Sequence, residues 1–125
     1  MTLSRIYLLA WCIVAAMVPD LATAQAYPNK PVRLVVPFAP GGTTDLLARV
    51  ISEKMGAALG QTVVVENKAG AGGAIGAAEV AKASPDGYTL LVSSVSTMAT
   101  NPAINPATPY DPVKDFVHIT SESTH

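Results

Sequence analysis

Short apolar runs alternate along this chain with longer stretches of helical period. The runs are rich in β-branched residues and cover residues 32–36, 62–66 and 88–93, which is typical of strands buried in a parallel sheet. Residues 44–59 and 75–83 lie between them and carry apolar positions at helical spacing. This βαβαβ order predicts an α/β fold with a parallel sheet and right-handed crossovers.

The first predicted helix has an apolar face and a polar face. The apolar face, which we expect to pack on the sheet, contains Leu46, Leu47, Val50, Ile51, Met55, Ala58 and Leu59. The polar face contains Asp45, Arg49, Ser52 and Glu53. Thr43 or Thr44 is expected to cap the helix, and Asp45 complements its positive end. Gly60 is expected to end it in the left-handed conformation.

The regular pattern stops after residue 93. Prolines at positions 102, 106, 109 and 112 exclude a long helix and favour an extended path with turns. Residues 115–119 have the composition of another strand, and residues 121–125 form a polar tail.

The N-terminal residues predict a signal peptide spanning residues 1–24. Residues 6–18 carry no charge, and this run is shorter than the about 20 residues that a bilayer span requires. A small-x-small cleavage site ends at Ala24, and an alternative site ends at Ala26. We therefore expect the chain to be exported and the leader to be removed, together with the only cysteine.

A glycine-rich turn follows each of the first two predicted strands and opens the next helix. The first turn contains Gly41 and Gly42, and the second contains Gly70, Gly72 and Gly73. Glycine lets a backbone approach a ligand closely, and the unpaired amides of a helix's first turn attract anions. Because ligands bind outside the carboxyl ends of parallel strands, the two turns together suit the capture of a small anion.

Each of these features also has a purely structural explanation. The glycines of the first turn are also explained if they only supply the positive φ angles of a tight turn. Gly72, Gly73 and Gly76 are also explained if they only allow the second helix to pack closely on the sheet. The hydroxyl residues after the third strand, which include Ser94 and Thr97, either donate to a ligand or solvate a loop. Asp45 is interpreted as a first-turn helix charge rather than as a base.

The residues present exclude most enzyme classes. His118 and His125, the only histidines, lie near the C-terminal end, where a Ser-His-Asp site is poorly supported. The sequence has no nucleophile elbow, no metal-ligand spacing and no P-loop. We therefore expect no catalytic residue, no metal and no cofactor. A net charge of −1 with scattered lysines disfavours a nucleic-acid partner.

Dinucleotide binding is the one enzyme hypothesis with a motif behind it. Gly70, Gly72 and Gly76 come close to the glycine fingerprint of that fold. The fingerprint also requires an acidic residue about 20 positions further on, to hold the ribose. The third predicted strand ends without a carboxylate, so this hypothesis is disfavoured.

Several motifs in order resemble the Bug family, the extracytoplasmic solute receptors of tripartite tricarboxylate transporters. They comprise residues 27–33 (YPNKPVR), 36–45 (VPFAPGGTTD), 66–73 (ENKAGAGG), 84–91 (SPDGYTLL), 101–102 (NP) and 109–116 (PYDPVKDF). The resemblance covers residues 27–119, which is nearly the whole of the predicted mature chain.

The resemblance implies a two-lobed, periplasmic-binding-protein-like fold and a ligand that is a small carboxylate. In that family, backbone amides of the two turns hold the ligand carboxylate with the help of ordered water. The positions carried over are Phe38, Ala39, Pro40, Gly41, Gly42, Thr43, Asp45, Gly70, Gly72, Gly73, Ala74, Ser94 and Thr97. The implied partners are the membrane permease subunits, and the protein is expected to be a monomer.

Family members are considerably longer than this sequence. We therefore expect residues 25–120 to form part of the first lobe, with the second lobe missing and residues 121–125 outside the family pattern. On that expectation the receptor function is impaired by truncation. The alternatives are a non-functional remnant and, less favoured, a fragment of a nucleotide-binding α/β enzyme.

Overall fold

The computed structural model of the chain describes residues 24–119. The predicted leader up to residue 23 and the predicted tail at 121–125 lie outside these residues. Within the described part, no helix has the length and apolar character needed to cross a membrane.

A three-stranded parallel sheet forms the centre of the molecule. The elements in chain order are β1 (Val32–Val36), α1 (Thr43–Leu59), β2 (Val63–Asn67), α2 (Ala74–Lys82), β3 (Thr89–Leu91) and the single turn α3 (Asn101–Ile104). The strand order is β2-β1-β3, with Val32 opposite Val63 and Arg33 opposite Thr89. The predicted α/β fold with a βαβαβ start is confirmed, and each of these five elements begins within one residue of its predicted position.

The two faces of the sheet carry separate hydrophobic clusters. On one face, Leu34 and Val36 pack against Ala48 of α1. On the other face, Ala77 and Ala78 of α2 pack with Tyr110, which the polypeptide brings back after β3. Strand β1 lies between two neighbours and is almost completely buried, as expected for the central strand of a parallel sheet.

The predicted apolar face of α1 is wrong in part. The buried residues of α1 are Asp45 and Ala48, whereas Leu46 is 59% exposed and Val50 is 53% exposed. The side chain of Ala48 is only a methyl group, so the helix approaches the sheet closely at this residue. Hydrogen bonds from the Gly41 amide and from Asn67, both outside the helix, hold Asp45 inward and fix the rotation of the helix. Gly60 ends α1 in the left-handed conformation, as predicted.

The stretch after β3 is more helical than its prolines suggested. A π-helical segment at Ser96–Thr100 runs directly into α3 instead of following an extended path. Pro102 is accommodated because it lies in the first turn of α3, where its missing N–H breaks no hydrogen bond.

The strand expected at residues 115–119 is not formed. Asp111 instead accepts hydrogen bonds from the amides of Val113 and Lys114, which closes a turn, and Asp115 accepts one from the amide of Asp111. Phe116 is half-buried against Tyr110, whereas residues 117–119 are exposed, and the segment pairs with no strand of the described part. These local hydrogen bonds turn the chain at the point where the strand was expected to begin.

An ion-pair network ties α2 to the sheet. Arg33 of β1 donates to Glu66 of β2 through Nε (2.9 Å) and Nη2 (2.7 Å), and to Glu79 of α2 through Nη2 (2.8 Å). Lys68 lies 3.6 Å from the second Glu79 oxygen. The bidentate geometry with Glu66 fixes the guanidinium plane, so the charge links three elements at once.

A substitution at Gly76 tests how closely α2 packs against the end of β1. A Cβ at this position would come within 2.9 Å of both the Lys68 carbonyl oxygen and the Pro37 Cα. Because these are backbone atoms, we expect Gly76→Ala to lower the free energy of unfolding by about 1–3 kcal/mol in urea denaturation.

Gly56→Ala is the matched control, since Gly56 also lies inside a helix. A Cβ there meets the Gln61 carbonyl oxygen at 3.1 Å and no other atom closer than 3.8 Å. Its loss of stability is therefore expected to be smaller. Equal losses in the two variants would contradict the close packing of α2.

Candidate functional site

Three loops meet at the carboxyl ends of the three strands. The first loop (residues 37–42) follows β1, the second (residues 68–73) follows β2, and the third (residues 92–95) follows β3. Gly73 lies so close to its neighbours that a Cβ would overlap the Thr97 methyl and would lie 3.4 Å from Phe38 and from Pro37. The expectation that the two glycine turns share one edge of the sheet therefore holds in the structure.

Asp45 is the polar centre of this edge. The residue is 2% exposed, and Oδ2 accepts hydrogen bonds from the Gly41 amide (2.9 Å) and from Arg49 Nε (3.0 Å). Oδ1 accepts one from Asn67 Nδ2 (2.9 Å). The hydrogen bonds from Arg49, Gly41 and Asn67 lower the pKa of Asp45 to about 2. The carboxylate is therefore ionised and held inside the protein, where it orients the first loop rather than facing solvent.

The start of α1 presents free backbone amides beside the first loop. Gly42 is the N-terminal cap, with extended φ and ψ of −79° and 172° and no side-chain cap. The first intrahelical bond runs from the Leu46 amide to the Gly42 carbonyl (3.0 Å), so the amides of residues 43–45 have no carbonyl partner within the helix. Such a terminus of a 17-residue helix favours an anion. The predicted threonine cap is absent because neither hydroxyl makes a cap hydrogen bond.

The second loop is built from consecutive positive φ angles. Gly70, Gly72 and Gly73 have φ of 138°, 64° and 94°, and Ala71 between them has φ of 49°. Ala71 is the only non-glycine residue with positive φ among residues 24–119. Asn101 Nδ2 donates to the Gly72 carbonyl (3.0 Å) and thereby holds the loop from outside. The Gly73 amide donates to the Gly70 carbonyl (3.0 Å), so the amides of residues 70–72 are the ones left to form a concave, anion-binding nest.

The third loop is closed by hydroxyl groups at the start of the π-helical segment that follows it. Thr97 is fully buried; its Oγ1 donates to the Ser94 carbonyl (2.8 Å) and accepts from the Ser94 amide (2.9 Å). The only hydroxyl proton of Thr97 is therefore used within the protein, and this side chain ties the third loop to the segment that follows it. Ser94 is half-buried, and its hydroxyl lies 2.7 Å from that of Ser96.

The remaining candidate residues differ in how far they face solvent. Those exposed at the loop edge are Ala39, Pro40, Gly41, Gly42, Thr43 and Gly72. Those half-buried are Phe38, Gly70, Ala74 and Ser94, and those buried are Asp45, Gly73 and Thr97. The exposed residues therefore offer mainly backbone groups, while the buried ones hold the loops in place.

Two asparagines that we did not predict from the sequence organise this edge. Asn67 donates to Asp45 and also to the Phe38 carbonyl (3.1 Å), and Asn101 holds the second loop. The sequence signal for Asn67 is its position at the end of a strand, directly before a glycine-rich turn. The signal for Asn101 is weak, since its partner lies 29 positions away along the chain.

The loop edge exposes backbone amides, and the ionisable side chains near it are hydrogen-bonded within the protein. No group of three or more histidine, cysteine, aspartate or glutamate side chains suited to a metal occurs within residues 24–119. The buried carboxylate nearest the loops is fully hydrogen-bonded, and His118 lies beside the Pro112 carbonyl, away from the loops.

Sequence comparison relates the chain to a receptor family. A family model described as tripartite tricarboxylate transporter family receptor matches residues 47–124. Protein BugT of Bordetella pertussis is 44% identical over 108 residues, which cover 86% of this chain and 33% of that protein. The UPF0065 protein in the TAR-I ttuE-ttuC' intergenic region of Agrobacterium vitis is 47% identical over 109 residues, with coverages of 86% and 31%. The chain thus spans about a third of the length of these curated relatives.

Solved structures agree with the sequence comparison. Periplasmic binding protein BugD is 50% identical with a TM-score of 0.69, and the match covers 72% of this chain and 30% of that one. MatC from Rhodopseudomonas palustris, solved with bound malate, is 47% identical with a TM-score of 0.69, covering 72% and 31%. A second R. palustris protein, solved with adipate, is 43% identical with a TM-score of 0.66, covering 69% and 29%.

Asp45→Asn tests the buried carboxylate through the pH dependence of stability. The folded-state pKa of about 2 lies below the ordinary value of 3.8, so ionised Asp45 stabilises the fold above about pH 4 and less as the pH falls towards 2. We expect the variant to unfold more easily than the wild type near neutral pH. The difference between them should shrink between about pH 4 and pH 2, as measured by urea denaturation.

Glu53→Gln is the control for this experiment, because it removes an exposed carboxylate from the same helix. It is expected to follow the wild type at every pH. A deficit of Asp45→Asn that stays constant with pH would show that the charge of Asp45 does not hold the loop.

Alanine substitutions at Gly41 and Gly73 distinguish the cost of backbone strain from the cost of steric overlap. Both have positive φ, but a Cβ at Gly41 has no atom within 4 Å, whereas one at Gly73 overlaps Thr97. We expect Gly41→Ala to cost about 1–2 kcal/mol of unfolding free energy through the left-handed conformation alone. Gly73→Ala should cost at least about 1 kcal/mol more because of the overlap. Equal losses in chemical denaturation would mean that Thr97 does not pack on Gly73.

Proposed function

Since this chain belongs to the tripartite tricarboxylate transporter receptor family, we propose that it is a periplasmic receptor that captures a small carboxylate. The observation that carries the proposal is the convergence of two amide-rich loops on one edge of the sheet. The amides of residues 43–45 and the nest at residues 70–72 both favour an anion.

The ligand carboxylate is held by backbone dipoles rather than by a dedicated cation. The basic side chain nearest the first loop, Arg49, is already paired with Asp45, and Lys68 is paired with Glu79. Backbone amides keep their N–H donors at every physiological pH. They are already in place when the ligand arrives, so the loops need no reorganisation. A carboxylate that accepts two or three such bonds is bound in its ionised form.

The ligand class follows from chemistry shared with the relatives. Malate and adipate, which are bound in two structural neighbours, are both dicarboxylates but differ in length and in hydroxyl content. Both ligands therefore carry a terminal carboxylate group, and a carboxylate is the part that the two loops are suited to hold. We therefore propose a small dicarboxylate or tricarboxylate as the ligand class.

The proposal includes the cellular setting. Residues 1–24 act as a signal peptide that is cleaved after Ala24 or after Ala26, and the exported chain works in the periplasm as a monomer. It passes its ligand to the permease subunits of a tripartite tricarboxylate transporter. The family match and the periplasmic neighbours support this setting.

Thr43→Pro tests whether the amides at the start of α1 bind the ligand. Proline removes the amide at the first helical position, where helices tolerate it, and Gly42 already has the extended conformation that a preceding residue needs. We expect the affinity for malate or adipate to fall about tenfold, which corresponds to one lost charge-assisted hydrogen bond. Isothermal titration calorimetry measures the affinity, and the stability should be unchanged.

Two controls make this result specific. Thr43→Ala removes the hydroxyl but keeps the amide, and it is expected to bind as the wild type does. Adipamide replaces both carboxylates with neutral amides and should not bind, and a dinucleotide should not bind either. Saturable binding of the dinucleotide, or equal affinity for adipate and adipamide, would overturn the proposal.

A further inference from the structure

Asn67 occupies an unusual position at the junction of β2 and the second loop. It is the last residue of β2, and its side chain turns towards the first loop instead of its own. Nδ2 donates to the Phe38 carbonyl (3.1 Å) and to Asp45 Oδ1 (2.9 Å). Both partners are acceptors, so only the NH2 group of the amide can face them.

These two hydrogen bonds close a ring around the first loop. Phe38 lies near the start of the loop and Asp45 lies just after its end, so Asn67 holds the two sides together. Asp45 in turn binds the Gly41 amide in the middle of the same loop. Since β2 carries both Asn67 and the second loop, the ring also fixes the spacing between the two amide-rich loops.

We propose that Asn67 is a positioning residue that sets the first loop, through Asp45, in the conformation that binds the carboxylate ligand. This inference rests on the proposed function and adds a residue that acts without touching the ligand. The role of Asn67 requires an uncharged hydrogen-bond donor at this position, because its partner Asp45 is a buried carboxylate. A carboxylate at position 67 would supply no donor and would repel Asp45.

The substitution Asn67→Asp therefore makes the loop sensitive to pH. Two adjacent carboxylates cannot both be ionised easily, so one of them binds a proton at mildly acidic pH. The protonated acid then donates its single O–H to the partner carboxylate, which replaces the lost hydrogen bond to Asp45 but not the one to the Phe38 carbonyl. Among the described residues, the groups that contact Asp45 are Arg49 on α1, the uncharged amide of Gly41 and Asn67 itself, so Arg49 is the one charge that opposes this protonation.

The experiment compares Asn67→Asp with Gln61→Glu, which makes the same change of amide to acid just before the start of β2. The affinity of the chain for malate is measured by calorimetry at about pH 7.5 and about pH 5. The affinity of each variant is then divided by that of the wild type at the same pH. We expect Asn67→Asp to bind about tenfold more weakly near pH 7.5. Near pH 5 it should return to within about threefold of the wild type, while Gln61→Glu stays at the wild-type value throughout.

A second readout does not require a ligand. Amide hydrogen exchange at Gly41 reports whether its hydrogen bond to Asp45 is kept, and Asn67→Asp should accelerate this exchange near pH 7.5 but not near pH 5, relative to Gln61→Glu. If the wild type binds no carboxylate, the proposed function fails, and the exchange rates alone decide whether Asn67 positions the loop.

The reversed pair D45N/N67D covers the case in which Asn67→Asp does not fold. It restores one donor and one acceptor, and it is expected to recover the Gly41 exchange rate to within about threefold of the wild type. The proposal is overturned if Asn67→Asp binds as well as Gln61→Glu near pH 7.5. It is also overturned if the deficit is the same at both pH values, or if the reversed pair recovers nothing.

Discussion

The buried carboxylate of Asp45 is the interaction on which the candidate site depends. One residue on the first turn of α1 accepts hydrogen bonds from the first loop, from α1 itself and from the end of β2. Leaving such a charge without partners inside a protein would be costly, so all three elements must be in place together. The carboxylate thus turns three separate pieces of chain into one rigid edge.

Close packing of small residues completes this edge. Gly73 and Gly76 let the second loop and α2 lie directly against Pro37 and Thr97, with no space for another side chain. The loops consequently present their backbone rather than their side chains. A site of this kind binds a carboxylate through fixed dipoles, and its selectivity for the rest of the ligand has to come from other residues.

The sequence predicts the local features of this structure well and the long-range ones poorly. Gly60 and the glycine turns are predictable because backbone conformation depends on the residue itself. The inward rotation of Asp45 was missed because Asn67, its partner, lies 22 positions away. The strand expected at residues 115–119 failed because Asp111 forms local hydrogen bonds that compete with extended structure.

The most direct test of a shared anion site is an amide proton–nitrogen NMR titration of the chain with malate. The account predicts that the signals of Thr43 and Thr44 shift together with those of Ala71 and Gly72, following a single dissociation constant. Shifts confined to one loop would contradict a site shared by both. Shifts that avoid both loops would contradict the assignment of this edge as the ligand site.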